Sequence, residues 1–183
     1  MSFSAEELAE IRFKSVLTDI REGLRVIYGP DAATATRADR RRAEARLLGL
    51  RKMNAASAMS VCVALLRTPG EPAAIYAAQT AAELCRHKTP EPEWGDGTLR
   101  LIRDCADAGH ARPVITALAL AYCALVARRR EWSPGTLVAT VCQGVGATAG
   151  EATAVRALAA IEVLRLLPEE LESDRLGLDE MHV

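Results

Sequence analysis

Aromatic residues make up only 4% of the 183-residue chain, so no core of bulky rings can be built from it. Its place is taken by Ala and Leu, which let helices approach closely and favour helix over strand. Long apolar runs are missing too. None reaches the roughly 18 residues that a membrane span needs. Residues 1–10 are polar and acidic, which predicts no secretory signal. A strong excess of one charge is also lacking. The formal net charge is -1, and this argues against bulk nucleic-acid binding by electrostatics alone. The five cysteines, Cys62, Cys85, Cys105, Cys123 and Cys142, contain no CxxC spacing and are odd in number. Each lies among apolar residues, so they read as small buried groups in a reducing compartment. No segment alternates with period two, and Asp96-Gly97 precedes a helix rather than joining two strands. The predicted class is all-α.

What is present is a rhythm of eight Ala/Leu-rich helical stretches in four pairs. The first is predicted over about Ala5–Ile27, opened by a Ser4/Glu7 capping box and closed by Tyr28-Gly29-Pro30-Asp31. The second runs from Arg37, after Thr36, to about Met53. The third follows Asn54 and stops at Thr68-Pro69-Gly70. The fourth opens at Pro72 and frays near His87, and residues 89–97, including Trp94, are expected to form a loop. The fifth follows Asp96 and ends at Gly109. The sixth begins at Pro113 and the seventh at Ser133-Pro134. The eighth covers about Glu151 to Leu167 and is expected to stop at Pro168. The second members begin near Arg37, Pro72, Pro113 and Glu151, a spacing of about 40 residues within the range of HEAT or armadillo repeats. A single pair cannot bury both faces, so it must stack on its neighbours. The expected fold is an α-solenoid of about four HEAT-type antiparallel helix pairs over 1–168. Residues 169–183 would be an acidic tail or the start of a further repeat. Such an architecture points to a binding surface, not a catalytic pocket, and no cofactor is expected.

The candidate chemistry is thin. Gly144-Val-Gly-Ala-Thr-Ala-Gly150 has GxGxxxG spacing, and a dinucleotide site would need a strand leading into it. A glycine-rich link between two helices is the reading preferred. His87, His110 and His182 are scattered with no i,i+4 pair, so no metal site is expected. No serine lies in a GxSxG turn. Glu6-Glu7 and Glu169-Glu170 read as solvated charge near helix ends. Arg128-Arg129-Arg130 suits the C-terminal dipole of the sixth helix.

Two features stand out as partner surfaces. Arg37, Arg40, Arg41, Arg42 and Arg46 crowd the second helix, diluted by Asp39 and Glu44. They make either a solvated face or a site for an acidic protein partner. Gln79 and Glu83 lie one turn apart on an otherwise apolar helix and mark its exposed stripe.

Several ordered segments resemble the N-terminal region of importin-β-superfamily nuclear transport receptors. They are Tyr28-Gly-Pro-Asp31, Ala77-Ala78-Gln79-Thr80, Leu118-Ala119-Leu120-Ala121 after Arg112-Pro113-Val114, and Leu164-Arg-Leu-Leu-Pro-Glu-Glu-Leu171. In order and spacing they are most similar to the transportin-SR branch, and the resemblance covers nearly the whole chain. It implies HEAT repeats with an outer and an inner helix, and binding of the GTPase Ran in its GTP form by the inner helices. Those would be the second of each pair, with Arg37, Arg41, Glu44, Gln79 and Glu83 as contacts. It also implies cargo proteins and nucleoporins as further partners, residence in nucleus and cytoplasm, and neither enzymatic activity nor direct nucleic-acid or membrane binding. Members of the family carry many more repeats than this chain. A generic α-solenoid scaffold for another partner is the alternative reading.

Overall fold

The computed structural model describes residues 4–67, 71–87, 93–128, 133–148, 150 and 153–179. Among these residues it is all-helical, with no strand. The elements are α1 (Ala5–Tyr28), a 3-10 turn (Pro30–Ala33), α2 (Arg37–Lys52), α3 (Ala55–Leu66), α4 (Glu71–His87), α5 (Trp94–Asp107), α6 (Arg112–Arg128), α7 (Pro134–Val145) and α8 (Ala154–Asp179). The chain divides into two compact units, Met1–Ala77 and Ala78–Val183, with the division falling inside α4.

Helix starts follow side-chain chemistry. Ser4 and Thr36 each form a full capping box, with Glu7 and Asp39 at the third helical position. Two orphan N–H groups are satisfied reciprocally at each site. The carboxyls of Glu7 and Asp39 are held below their ordinary range by these hydrogen bonds from Ser4 and Thr36. Asn54 accepts from the Ser57 amide at 2.8 Å, and Ser133 accepts from that of Thr136 at 3.3 Å. Gly146 ends α7 in the left-handed region at φ 71°, where a side chain would be strained. The Ala147 amide then reaches the Cys142 carbonyl at 2.8 Å.

Three boundaries differ from the sequence reading. Helix α5 starts at Trp94, ahead of Asp96-Gly97, so Trp94 is helical and not in a loop. The Thr98 hydroxyl donates to the Trp94 carbonyl at 2.7 Å and secures that first turn. Helix α8 begins at Ala154, three residues later than expected. It also runs through Pro168 to Asp179. Proline there removes the bond that its amide would have donated to the Leu164 carbonyl and crowds that carbonyl with its ring. Leu166 and Leu167 are buried just before it, and Glu170 is tied to Arg86 just after it. Packing on both sides of the proline outweighs its helix-breaking tendency. The expected stop at Thr68-Pro69-Gly70 and Arg129-Arg130 lie outside the described residues.

In the first unit, α1 packs on α2, on α3 and on the 3-10 turn. Ile20 and Leu24 of α1 meet a core that includes Ala43, Leu47 and Leu50 of α2. The Tyr76 hydroxyl of α4 donates to the Leu47 carbonyl of α2 at 2.7 Å and is buried. In the second unit, α5 packs on α6, α7 and α8, and α8 packs on α6 and α7. Helix α6 carries no charge between Arg112 and Arg128 and is buried nearly all round, as a helix without a polar face must be. Its Ala117, Ala119, Ala121 and Ala124 are small enough for neighbouring helices to come close. Cys85 and Cys123 share this interior, and burial pushes both thiols up to about 12. Cys105 is raised to about 11 for the same reason. These thiols stay protonated and pack as small apolar groups. Cys62 is buried too, and Cys142 is half-buried.

Gly144 sits inside α7, and no strand leads into it. Its role is packing. A Cβ built there would lie 2.5 Å from Leu99 Cδ1 and 2.8 Å from Leu99 Cβ, and Leu99 is fully buried. Gly97, by contrast, has nothing within 4 Å of such a Cβ. Gly144→Ala should therefore lower stability by about 1–3 kcal/mol. Gly97→Ala, within exposed helix, should raise it by up to about 1 kcal/mol. Urea denaturation of the two variants checks the contrast, and equal effects would contradict it.

Candidate functional site

The residues predicted as partner contacts fall on two helices in two units. Arg37, Arg41 and Glu44 are all exposed on α2. They lie away from the face that buries Ala43, Leu47 and Leu50. Their spacing of four and three residues places them on one side of the helix. The neighbouring arginines are used differently. Arg40 donates to the Ala32 carbonyl at 2.9 Å and so ties α2 to the 3-10 turn. Arg46 donates to Glu22 at 2.8 Å and lies 3.7 Å from Asp19, which ties α2 to α1. Arg42 lies near enough to Asp39 to help hold that carboxyl ionised. Arg37 and Arg41 meet no hydrogen-bonding or ion-pairing partner among the described residues. The cluster is thus part structural and part open, and only the open part can serve a partner.

On α4, Gln79 is exposed and Glu83 half-buried, while Ala77, Ala78, Ala81 and Ala82 between and around them are buried. The stripe read from the sequence is present as a narrow polar seam. Beside it, Thr80 is fully buried, and its hydroxyl has no partner among the described residues. An orphan hydroxyl costs about 1–3 kcal/mol relative to one that is satisfied.

The densest polar constellation is one that the sequence reading missed. Glu162 of α8 is 8% exposed and sits at the contact of α8 with α6. Its Oε1 accepts from the Thr116 hydroxyl at 2.7 Å and from Arg165 Nη2 at 3.0 Å. Its Oε2 accepts from Arg165 Nε and from Arg112 Nη2, both at 3.3 Å. Hydrogen bonds from Arg165 and then Thr116, with the added charge of Arg112, hold the Glu162 carboxyl down at about 2. A second tie, Arg86 to Glu170, joins α4 to α8 near Cys123. A third joins α5 to α8, where Arg156 grips Asp107 through two bonds of 2.8 and 2.7 Å. The signal for Glu162 was available: a lone carboxylate inside the apolar run from Ala157 to Leu167, with Arg165 one turn on.

Nothing in this arrangement provides a nucleophile with a base beside it. Among the described residues, no three His, Cys, Asp or Glu side chains converge as a metal site. No described helix is long and apolar enough to cross a membrane. What the geometry offers is helix faces, with polar groups clustered on α2, α4, α6 and α8. Searched against family profiles, curated proteins and solved structures, the chain matches none.

Two outcomes follow for these polar groups. A carboxyl lowered on folding stabilises in full above its unfolded value of 4.5 and loses that contribution as pH falls towards 2. Glu162→Gln should cost about 2 kcal/mol at neutral pH and flatten the acid limb of stability between those two values. Stability curves of both proteins across pH test this, and parallel acid limbs would contradict it. Thr80→Val keeps the shape and removes the orphan hydroxyl, so thermal unfolding should show unchanged or higher stability, by up to about 1 kcal/mol. A clear loss would mean that the hydroxyl is satisfied.

Proposed function

We propose that the chain is a non-enzymatic helical-repeat module of the nuclear-transport-receptor kind, an α-solenoid of four HEAT-type pairs whose second helices bind Ran in its GTP form. One observation carries this reading. Within each unit, first helices touch first helices and second helices touch second helices. Helix α1 packs on α3, and α5 on α7. Helix α4 reaches α2 through Tyr76 and Leu47, and α6 packs on α8. Stacked pairs require this ladder of contacts. The polar groups described above also gather on the second helices, where such a receptor would present its contacts. The ordered resemblance to the transportin-SR branch names the partner to try first.

Recognition would be protein to protein, steered by the exposed charges of α2 and anchored along α4. Arg37, Arg41 and Glu44 would serve the first contact surface, and Gln79 and Glu83 the second. Cargo proteins and nucleoporins would be further partners, and the protein would move between nucleus and cytoplasm. The immobilised chain should retain Ran loaded with GTP and not Ran loaded with GDP. Arg41→Glu and Gln79→Ala should each weaken retention by roughly 5–10-fold. Equal retention of the two forms, or none, would overturn the Ran assignment in favour of a scaffold with a different partner.

A further inference from the structure

Helix α8 has a second apolar face. Ala159, Ala160, Glu162, Val163, Leu166 and Leu167 lie buried on one side of it, where it packs on its neighbours. Opposite them run Ala154, Leu158, Ile161, Arg165, Pro168 and Glu172, every one exposed. Their steps of four, three, four, three and four residues follow the heptad repeat by which one helix recognises another. The first half of this stripe is apolar. Leu158 is 65% exposed and Ile161 59%, with Ala157 and Leu164 half-buried beside Ile161. Two large aliphatic side chains one turn apart, left in water on a helix whose other side is core, mark a contact surface. The surface is also fixed in advance. Arg156 is fastened to Asp107 of α5, and Glu162 to Thr116 and Arg112 of α6, so Leu158 and Ile161 lie between two anchored points. A surface already ordered loses little freedom on docking.

We infer that two copies of the chain pair through this stripe, α8 against α8, antiparallel about a two-fold axis between Leu158 and Ile161. The order of side chains along the stripe selects both the occupant and the direction. Antiparallel pairing sets Leu158 of each copy against Ile161 of the other and Ala154 against Arg165. The two apolar halves then cover each other over about 18 Å of helix. Ala154 leaves room for the Arg165 stem, and the Arg165 charge is already matched by Glu162 at 3.0 Å, so no unpaired cation is covered. The acidic halves project beyond the overlap. Glu169 and Glu172 come beside the α8 N-terminus of the other copy, where the dipole is positive and the first turn carries no acidic side chain. Parallel pairing would instead set Glu169 and Glu172 against their own copies. The contact is isologous, so it closes at two chains. It uses no residue of α2 or α4 and stands apart from the Ran reading.

A stripe on one helix belongs with the small interfaces, so sedimentation equilibrium of the whole chain over about 5–500 μM tests this. The average mass should climb with concentration from one chain towards two and stop there. It should not fall at ~0.5 M salt, because apolar contact and not charge holds the pair. Leu158→Glu and Ile161→Glu should each weaken pairing at least about tenfold, with circular dichroism unchanged, since both positions are exposed in the single chain. Oxidative cross-linking in a Cys142→Ser background reads the direction. Ala154→Cys mixed with Arg165→Cys should give a linked pair, and Ala154→Cys alone should not. A wild-type chain that stays monomeric throughout overturns the proposal, whether the stripe is idle or covered by a foreign helix. So does a mass that climbs past two chains, dissociation at high salt, or a glutamate variant that pairs like the wild type. Absence of the mixed cross-link, or Ala154→Cys linking to itself, overturns it as well. Leu158→Glu leaves the proposed Ran contacts intact, so loss of pairing with Ran retention unchanged separates the two readings.

Discussion

A helix with no charge across its length has to be covered on every side, and α6 imposes this constraint on the second unit. Between Arg112 and Arg128 it offers Pro113 and then Ala, Leu, Val, Ile, Cys and Tyr, with Thr116 and the Tyr122 hydroxyl as its polar side-chain groups. Each large apolar side chain moved out of water there contributes about 1.5–3 kcal/mol, which supplies the drive for α5 and α8 to pack against it. The alanines set how near they come. The positions that remain outside are then few, and they define which surfaces a partner can reach.

Within that apolar contact, Glu162 fixes how α8 lies on α6. Apolar surfaces of Ala and Leu slide over one another with little penalty, and a carboxylate with Thr116, Arg112 and Arg165 around it does not. Displacing the helix by one turn would strip that poorly solvated charge of Thr116 and Arg112 and leave it only Arg165, which travels with it on α8. Arg156 with Asp107 and Arg86 with Glu170 do the same at other points along α8. The helix is thereby held at three places, to α5, α6 and α4. This accounts for its passage through Pro168.

Local signals were legible in the sequence where one side chain decides the outcome. Ser4, Thr36, Asn54 and Ser133 each sit one residue before a helix and cap it. The all-helical class followed from Ala and Leu usage and from the absence of period-two alternation. Where tertiary contacts decide, local reading went astray. Pro168 and Trp94 carry loop signals, and each is overruled by its surroundings, Pro168 by buried leucines and an ion pair, Trp94 by the turn that Thr98 completes. The exposed stripe of Gln79 was legible because Ala77, Ala78, Ala81 and Ala82 surround it. Glu162 stood out as a lone carboxylate in an apolar run, but its partners Arg112 and Thr116 lie about fifty residues away, and no local pattern reports which distant donors will meet a carboxylate. The division of the α2 arginines into structural and open members was hidden likewise. It depends on where Ala32, Glu22 and Asp19 come to lie.

The fold thus places an uncharged helix at the heart of the second unit and fixes its neighbour with one buried carboxylate. The direct test of this account is native-state hydrogen exchange resolved by residue. The amides of α6 should be the slowest in residues 78–183 and should exchange only through global opening. Those of α7, with only Leu137, Val141 and Val145 buried, should open locally and much faster. If α6 exchanged as fast as α7, the central helix would not be the element on which the rest depends, and the account would fail.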